Sequence, residues 1–204
     1  MKNSLFNLRM SVMDRLISDK QASRRGLTPL LVFFLACVAH GQDNTEKIHF
    51  DLPPGFEKGF EESDESFFIQ EWVPKGESVN DWSEMLTLTI QNMPNVNPID
   101  FFNHMANGWE KSCPEYSGML LHEGLEKNYP VALWFLKCPT NPMTHKPEFT
   151  YIKGIAGNEH FYTVQLAYAL RSDEITDLTI NRSMAFLRQV TVCDNSRPQA
   201  HACD

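Results

Sequence analysis

What this chain lacks narrows its chemistry first. None of its five cysteines falls in a C-x-x-C pair, which argues against a dithiol redox motif and against the closely spaced pairs that a zinc site needs. There is no G-x-x-x-x-G-K-[ST] and no G-x-G-x-x-G, so neither common phosphate-cradling loop is present. No G-x-S-x-G supplies a hydrolase elbow, and the histidines form neither H-E-x-x-H nor H-x-H. Cationic charge is scarce, with 18 Lys and Arg against 26 Asp and Glu, for a formal net charge of −8. A surface of that sign is repelled by phosphate backbones, so nucleic acid is not an expected partner. Long apolar runs are missing too. The longest, Leu30–Ala39, has ten residues, about half of what a membrane-spanning helix requires.

That short run is nevertheless informative. In "SRRGLTPLLVFFLACVAHGQ" (23–42) a basic pair, Arg24 and Arg25, precedes the apolar core, and the small-x-small triplet Ala39-His40-Gly41 follows it. This is the plan of a secretory signal. Residues 1–41 are therefore expected to form a targeting segment cleaved before Gln42, and 42–204 a single domain. Two other readings share the segment. "FLAC" resembles a lipobox with Phe34 where Leu is usual, which would make Cys37 a lipidation site. "SRRGL" resembles a twin-arginine signal. Met10 and Met13 are alternative starts. Loss of 1–41 would remove six basic and two acidic residues and leave 12 against 24, a net charge of −12.

Export gives the remaining cysteines a meaning. Cys113, Cys138, Cys193 and Cys203 are an even set in an oxidising compartment, so two disulfides are expected. Four cysteines allow three pairings. Cys193–Cys203 would close a short tail loop, and Cys113–Cys138 would then tie the end of a helix to the end of a strand.

Hydrophobic periodicity supplies the elements. Lys47–Phe56 reads as a short strand that stops at Pro53-Pro54-Gly55, "EKGFEESDE" as an acidic loop, and Ser66–Pro74 as a strand. Glu84–Met93 alternates, as a half-buried strand does. Asn97, Pro98 and Asp100 announce a helix over Pro98–Ser112, with Ile99, Phe102, Met105, Ala106 and Trp109 on one face. Strands follow at Gly118–Lys127 and Val131–Lys137, then two more joined at Gly157-Asn158, where positive φ is expected. The last helix is placed at Asp173–Val190, with Ser172 as its cap. The result is one α+β domain, a single antiparallel sheet covered by two main helices and stapled by disulfides.

Strands, a helix entered at "NPIDFFNHM", four antiparallel strands and a C-terminal helix resemble the PsbP-like fold, an α/β/α layout named for an extrinsic photosystem II protein. "EWVPKGESVNDWSEMLTL", "GNEHFYTVQLAYAL" and the final "VCD…C" are similar to a group of uncharacterised proteobacterial secreted or lipid-anchored proteins. The resemblance covers nearly the whole of 42–204 in element order. It implies a non-enzymatic role, such as binding a protein partner or assisting assembly.

Candidate site residues are few. Trp72 and Trp82 flank a polar connection, and with Glu84 they form the candidate binding surface, since exposed aromatics rimmed by polar groups mark contact sites. Glu71, Asp81 and Glu84 are the carboxylates that an acid/base hydrolase site would draw on. His122 in "HEGLE" and His104 on the first helix read as solvated polar groups rather than metal ligands. No cofactor, metal or catalytic residue is identified. The sequence therefore points to a periplasmic or secreted binding or accessory protein, without a span in its mature part. It would act on a protein or a small envelope ligand, or as a secreted effector.

Overall fold

The computed structural model describes residues 46–142, 144–195 and 203. Its strands are β1 (Glu46–His49), β2 (Phe56–Ser63), β3 (Phe67–Pro74), β4 (Glu84–Gln91), β5 (Ser117–Glu126), β6 (Tyr129–Cys138), β7 (Glu148–Ala156), β8 (Phe161–Tyr168) and β9 (Thr191–Asp194). Helix α1 is Pro98–Ser112 and α2 is Asp177–Gln189. Seven strands form one antiparallel sheet in the order β2-β3-β4-β8-β7-β6-β5. The expectation of a single sheet is corrected here: β1 and β9 pair separately as a two-stranded antiparallel sheet.

Local chemistry explains several elements. At the start of α1, Asn97 accepts a hydrogen bond from the Ile99 N–H at 2.7 Å, Pro98 occupies the first turn, and Asp100 lies near the positive end of the helix. Phe101, absent from the expected stripe, is the buried aromatic of this helix. The β5–β6 turn uses Lys127 and Asn128, both at positive φ (49° and 70°), as a tight two-residue hairpin requires.

Three expectations fail for identifiable reasons. The acidic stretch 56–63 is strand β2, not a loop. It lies at the sheet edge, where solvent accommodates its charges. Helix α2 begins at Asp177 rather than Asp173, because Thr176 rather than Ser172 provides the cap, accepting from the Thr179 N–H at 3.2 Å; Ser172–Glu174 is one turn of 3₁₀ helix. The hairpin at Gly157-Asn158 is present without positive φ at either residue. It is held by Glu46, whose carboxylate accepts from the N–H groups of Asn158 (2.7 Å) and Glu159 (3.3 Å) and from the Tyr162 hydroxyl (3.1 Å). Gly157 is required there because a Cβ would collide with that carboxylate and lie 2.8 Å from the His160 carbonyl oxygen.

Both faces of the sheet are covered, so β4 is buried on its Met85, Thr87, Thr89 side as well as on its Leu86, Leu88 side. Leu86, Leu88, Val164, Leu166, Tyr151 and Val131 pack with Phe186, Leu187, Val190 and Val192, which belong to α2, β9 and the residue between them. On the opposite face, Phe101 and Phe102 of α1 meet Trp134, with ring centroids 6.3 and 5.4 Å away, and Phe101 meets Phe161 at 4.6 Å. Disulfides join Cys113 to Cys138, end of α1 to end of β6, and Cys193 to Cys203.

Candidate functional site

The sheet is wider than its cover. Seven strands at about 4.8 Å spacing span about 29 Å, whereas one helix with side chains is about 10 Å across. Helix α2 and the β1–β9 ribbon pack toward the middle of one face, which leaves the β5–β6–β7 flank of that face partly open. The opening is a groove of about 890 Å³, within the range of small-molecule sites.

Strand register builds its floor. On this face β5, β6 and β7 align Met119, Phe135 and Tyr151 in one rung, and His122, Leu133 and Lys153 in another. Helix α2 supplies the wall through Ile180, Met184 and Leu187, and Ser172 and Ile175 line the approach to it. A bulge at Leu121, between Leu120 and His122, brings that leucine into the lining. Met119 is 55% exposed and Leu121 39%. The groove therefore keeps apolar surface in contact with water.

Charge in the groove runs opposite to that of the chain. Its lining holds Lys137, Lys153, Arg188 and His122 but one carboxylate, Glu126. Glu126 is engaged by Lys153 at 2.5 Å. Lys153 is 3% exposed, and its Nζ also donates to the carbonyls of Leu187 (3.0 Å) and Val190 (2.9 Å). Those are orphan acceptors at the C-terminal end of α2, so Lys153 works as a buried helix cap whose donors are filled. Burial pushes its ammonium below the ordinary pKa, and Glu126 pulls part of that back. Burial, with a smaller contribution from Tyr168, raises the Tyr151 phenol. Arg188 and Lys137 have no ion-pair partner among the described residues.

The residues singled out from sequence do not assemble into one surface. Trp82 is 7% exposed and packs with Val73, Met85 and Ala167, which lie on the α1 side of the sheet. The expectation that it is exposed is corrected by this packing: the polar connection folds its one large apolar side chain inward. Trp72 is half-buried on the other face, edge-on to Phe50 at 5.9 Å. Glu84 is on that same face and accepts from Arg182 of α2 at 2.5 Å, while Arg182 sits 5.8 Å from the Tyr168 ring centroid. The three therefore form no shared patch.

The proposed carboxylate set is separated as well. Glu71 is on the α1 side, where Thr87 donates to it at 3.4 Å, and so stands on the opposite face from Glu84. Asp81 pairs with Lys146, which holds its carboxyl below the usual range. Among the described residues no group of three or more His, Cys, Asp or Glu could hold a metal ion, and no helix is long and apolar enough to cross a membrane. Cys37 lies outside the described residues.

No protein-family model matches the chain, and no curated protein matches it by sequence. Similar solved structures exist. One is a mutant of the protein Mog1, at 12% identity and TM-score 0.47, covering 73% of this chain and 92% of that one. A second is LpqN of Mycobacterium tuberculosis, described as involved in cell envelope biogenesis, at 14% identity and TM-score 0.40, covering 75% and 87%. A third is the cyanobacterial PsbP (CyanoP) of Synechocystis, at 10% identity and TM-score 0.42, covering 72% and 92%. At this level of likeness no residue's role passes from those proteins to this chain.

Sequence reasoning missed the groove. One signal was available. Lys153 is the one cation in "EFTYIKGIA", with only Glu148 at the strand's start charged besides it, in a strand buried along its whole length, and a lysine there requires partners inside the fold. Arg188 and Lys137 carried no such signal, because each looks like an ordinary surface cation until the fold places them along one groove.

Proposed function

We propose that this chain is an exported, non-catalytic binding or accessory protein of the cell envelope. In this reading residues 1–41 are its targeting segment, 42–204 are its α+β domain, and the groove between α2 and β5–β7 is its binding surface. The observation that carries it is that groove: apolar side chains held open to water and flanked by cations, in a domain otherwise rich in acids. A contiguous exposed apolar surface is costly to keep unless something covers it in use. The two disulfides support the compartment. Glu71 and Glu84 stand on opposite faces of the sheet, and Asp81 is paired with Lys146, which speaks against an acid/base pair among these carboxylates.

The test is localisation with chemistry attached. Cells expressing the full chain are fractionated, and the N-terminus of the recovered protein is sequenced. The expected product starts at Gln42 in the periplasm or the medium. A diacylglyceryl mass on Cys37 would make it a lipid-anchored envelope protein instead. An intact Met1 in the cytoplasm would overturn export, and a hydrolytic turnover abolished by one groove substitution would overturn the non-catalytic role.

A further inference from the structure

We propose that the groove binds a single-chain amphiphile with an anionic head. Its alkyl chain would lie along Leu133 and Phe135 against Ile180 and Met184, and its head would meet Arg188 and His122.

Three observations support this occupant. The first is shape. From the His122–Leu133–Lys153 rung to the Ser117–Lys137–Phe149 rung, β6 advances four residues, about 14 Å of extended chain. That is the reach of a medium-length alkyl tail, and the floor between those rungs is apolar. The second is charge placement. Arg188 follows Leu187, whose carbonyl is bonded to Lys153, and Lys153 shares its rung with His122. Arg188 and His122 are thereby set at one mouth of an apolar trough, with the single cation Lys137 on the far rung. The lining carboxylate, Glu126, is already engaged by Lys153, so it leaves Arg188 and His122 available to an incoming anion. The third is exposure. Met119, at the outer edge of the floor, is 55% exposed, and an alkyl chain would cover it without moving the backbone. A nucleotide or a sugar finds few polar partners on this floor.

The inference rests on the reading of the chain as a binding protein, but the two can fail separately. Retention in the cytoplasm would end the export reading and leave the groove chemistry standing. Absence of amphiphile binding by an exported protein would do the reverse.

The experiment is calorimetric titration of the protein, purified as expressing cells release it, with octanoate, decanoate, dodecanoate and neutral decanol, all below their micellar concentrations. Saturable binding is expected, with affinity rising about three- to fourfold per added methylene. Decanol should bind more weakly than decanoate. The double substitution Arg188→Gln with His122→Gln, both at exposed side chains, should lower decanoate affinity about three- to tenfold and leave decanol unchanged. Met119→Glu should weaken every chain while the melting temperature stays put, since that side chain is largely solvated already. No saturable binding by any of the three carboxylates overturns the proposal, as does affinity independent of chain length. Equal decanoate affinity in the double variant overturns the head assignment. A concentration-dependent dimer that Met119→Glu dissolves would assign the groove to a second copy of this chain instead.

Discussion

Replacing Lys153 by methionine tests how α2 is anchored to the sheet. The methionine keeps most of the apolar stem and deletes the ammonium, which now donates to Leu187 O at 3.0 Å, Val190 O at 2.9 Å and Glu126 Oε2 at 2.5 Å. Two buried carbonyls lose their donor, at about 1–3 kcal/mol each. Glu126 is 35% exposed and returns to water at little cost, as partners of exposed pairs do. Against these losses stands relief of the desolvation that a buried ammonium carries. The balance is a loss of about 2–4 kcal/mol, or about 5–15 °C in Tm for a domain of this size. Urea titration and thermal melts by circular dichroism would measure it. The pH dependence gives an independent check. Because the folded-state pKa of Lys153 lies below its ordinary value of 10.5, the unfolded chain holds more protons between those two values. Wild-type stability therefore gains with rising pH across that window, and Lys153→Met lacks this gain. Tyr151 and Tyr162, whose phenols are raised, act in the opposite direction above about pH 10 in both proteins, so the difference curve isolates the lysine. A variant within 1 kcal/mol of wild type, or more stable, would refute the capping role.

Other outcomes follow from the same structure. Removing Cys193 and Cys203 together should cost about 2–3 kcal/mol and leave a folded domain. Removing Cys113 and Cys138, whose sequence separation is 25 against 10 for the tail pair, should cost about 3–4 kcal/mol on loop entropy. Non-reducing peptide mapping checks both pairings. Glu46→Ala should lower stability by about 2–3 kcal/mol and speed amide exchange at Asn158 and Glu159. It should also let the Tyr162 phenol fall toward its ordinary pKa, because Glu46 adds to the rise that burial causes. Gly154→Ala would place a Cβ 2.8 Å from the Trp134 ring and 3.1 Å from Phe161, and should destabilise by about 1–3 kcal/mol through overpacking, read as a lowered urea midpoint.

What the sequence alone determined is local. The Asn97-Pro98-Asp100 signal specified the start of α1 because capping is settled within one turn. A tight turn between β5 and β6 was legible for the same reason, though the sequence places it at Asn128–Pro130 and the structure at Lys127-Asn128, and so was the run of hairpin strands after it. The cysteines of helix end, strand end and tail were legible as a disulfide set because their number and separation sufficed to suggest one. Everything that depends on distant partners was decided by the tertiary structure. Strand β2 exists because β3 offers it an edge, although its composition reads as loop. The Gly157-Asn158 hairpin relies on Glu46, more than a hundred positions earlier in the chain, rather than on glycine's freedom of φ. Trp82 is buried because Val73, Met85 and Ala167, from three different strands, converge on it. Glu71 and Glu84 look like neighbours in the sequence but stand on opposite faces, since side chains alternate along a strand and register fixes which face each takes. The groove itself is written in no single segment. It arises because a seven-stranded sheet is wider than the one helix laid on that face, and the uncovered flank brings Met119, Leu133, Phe135 and Arg188 together from three elements.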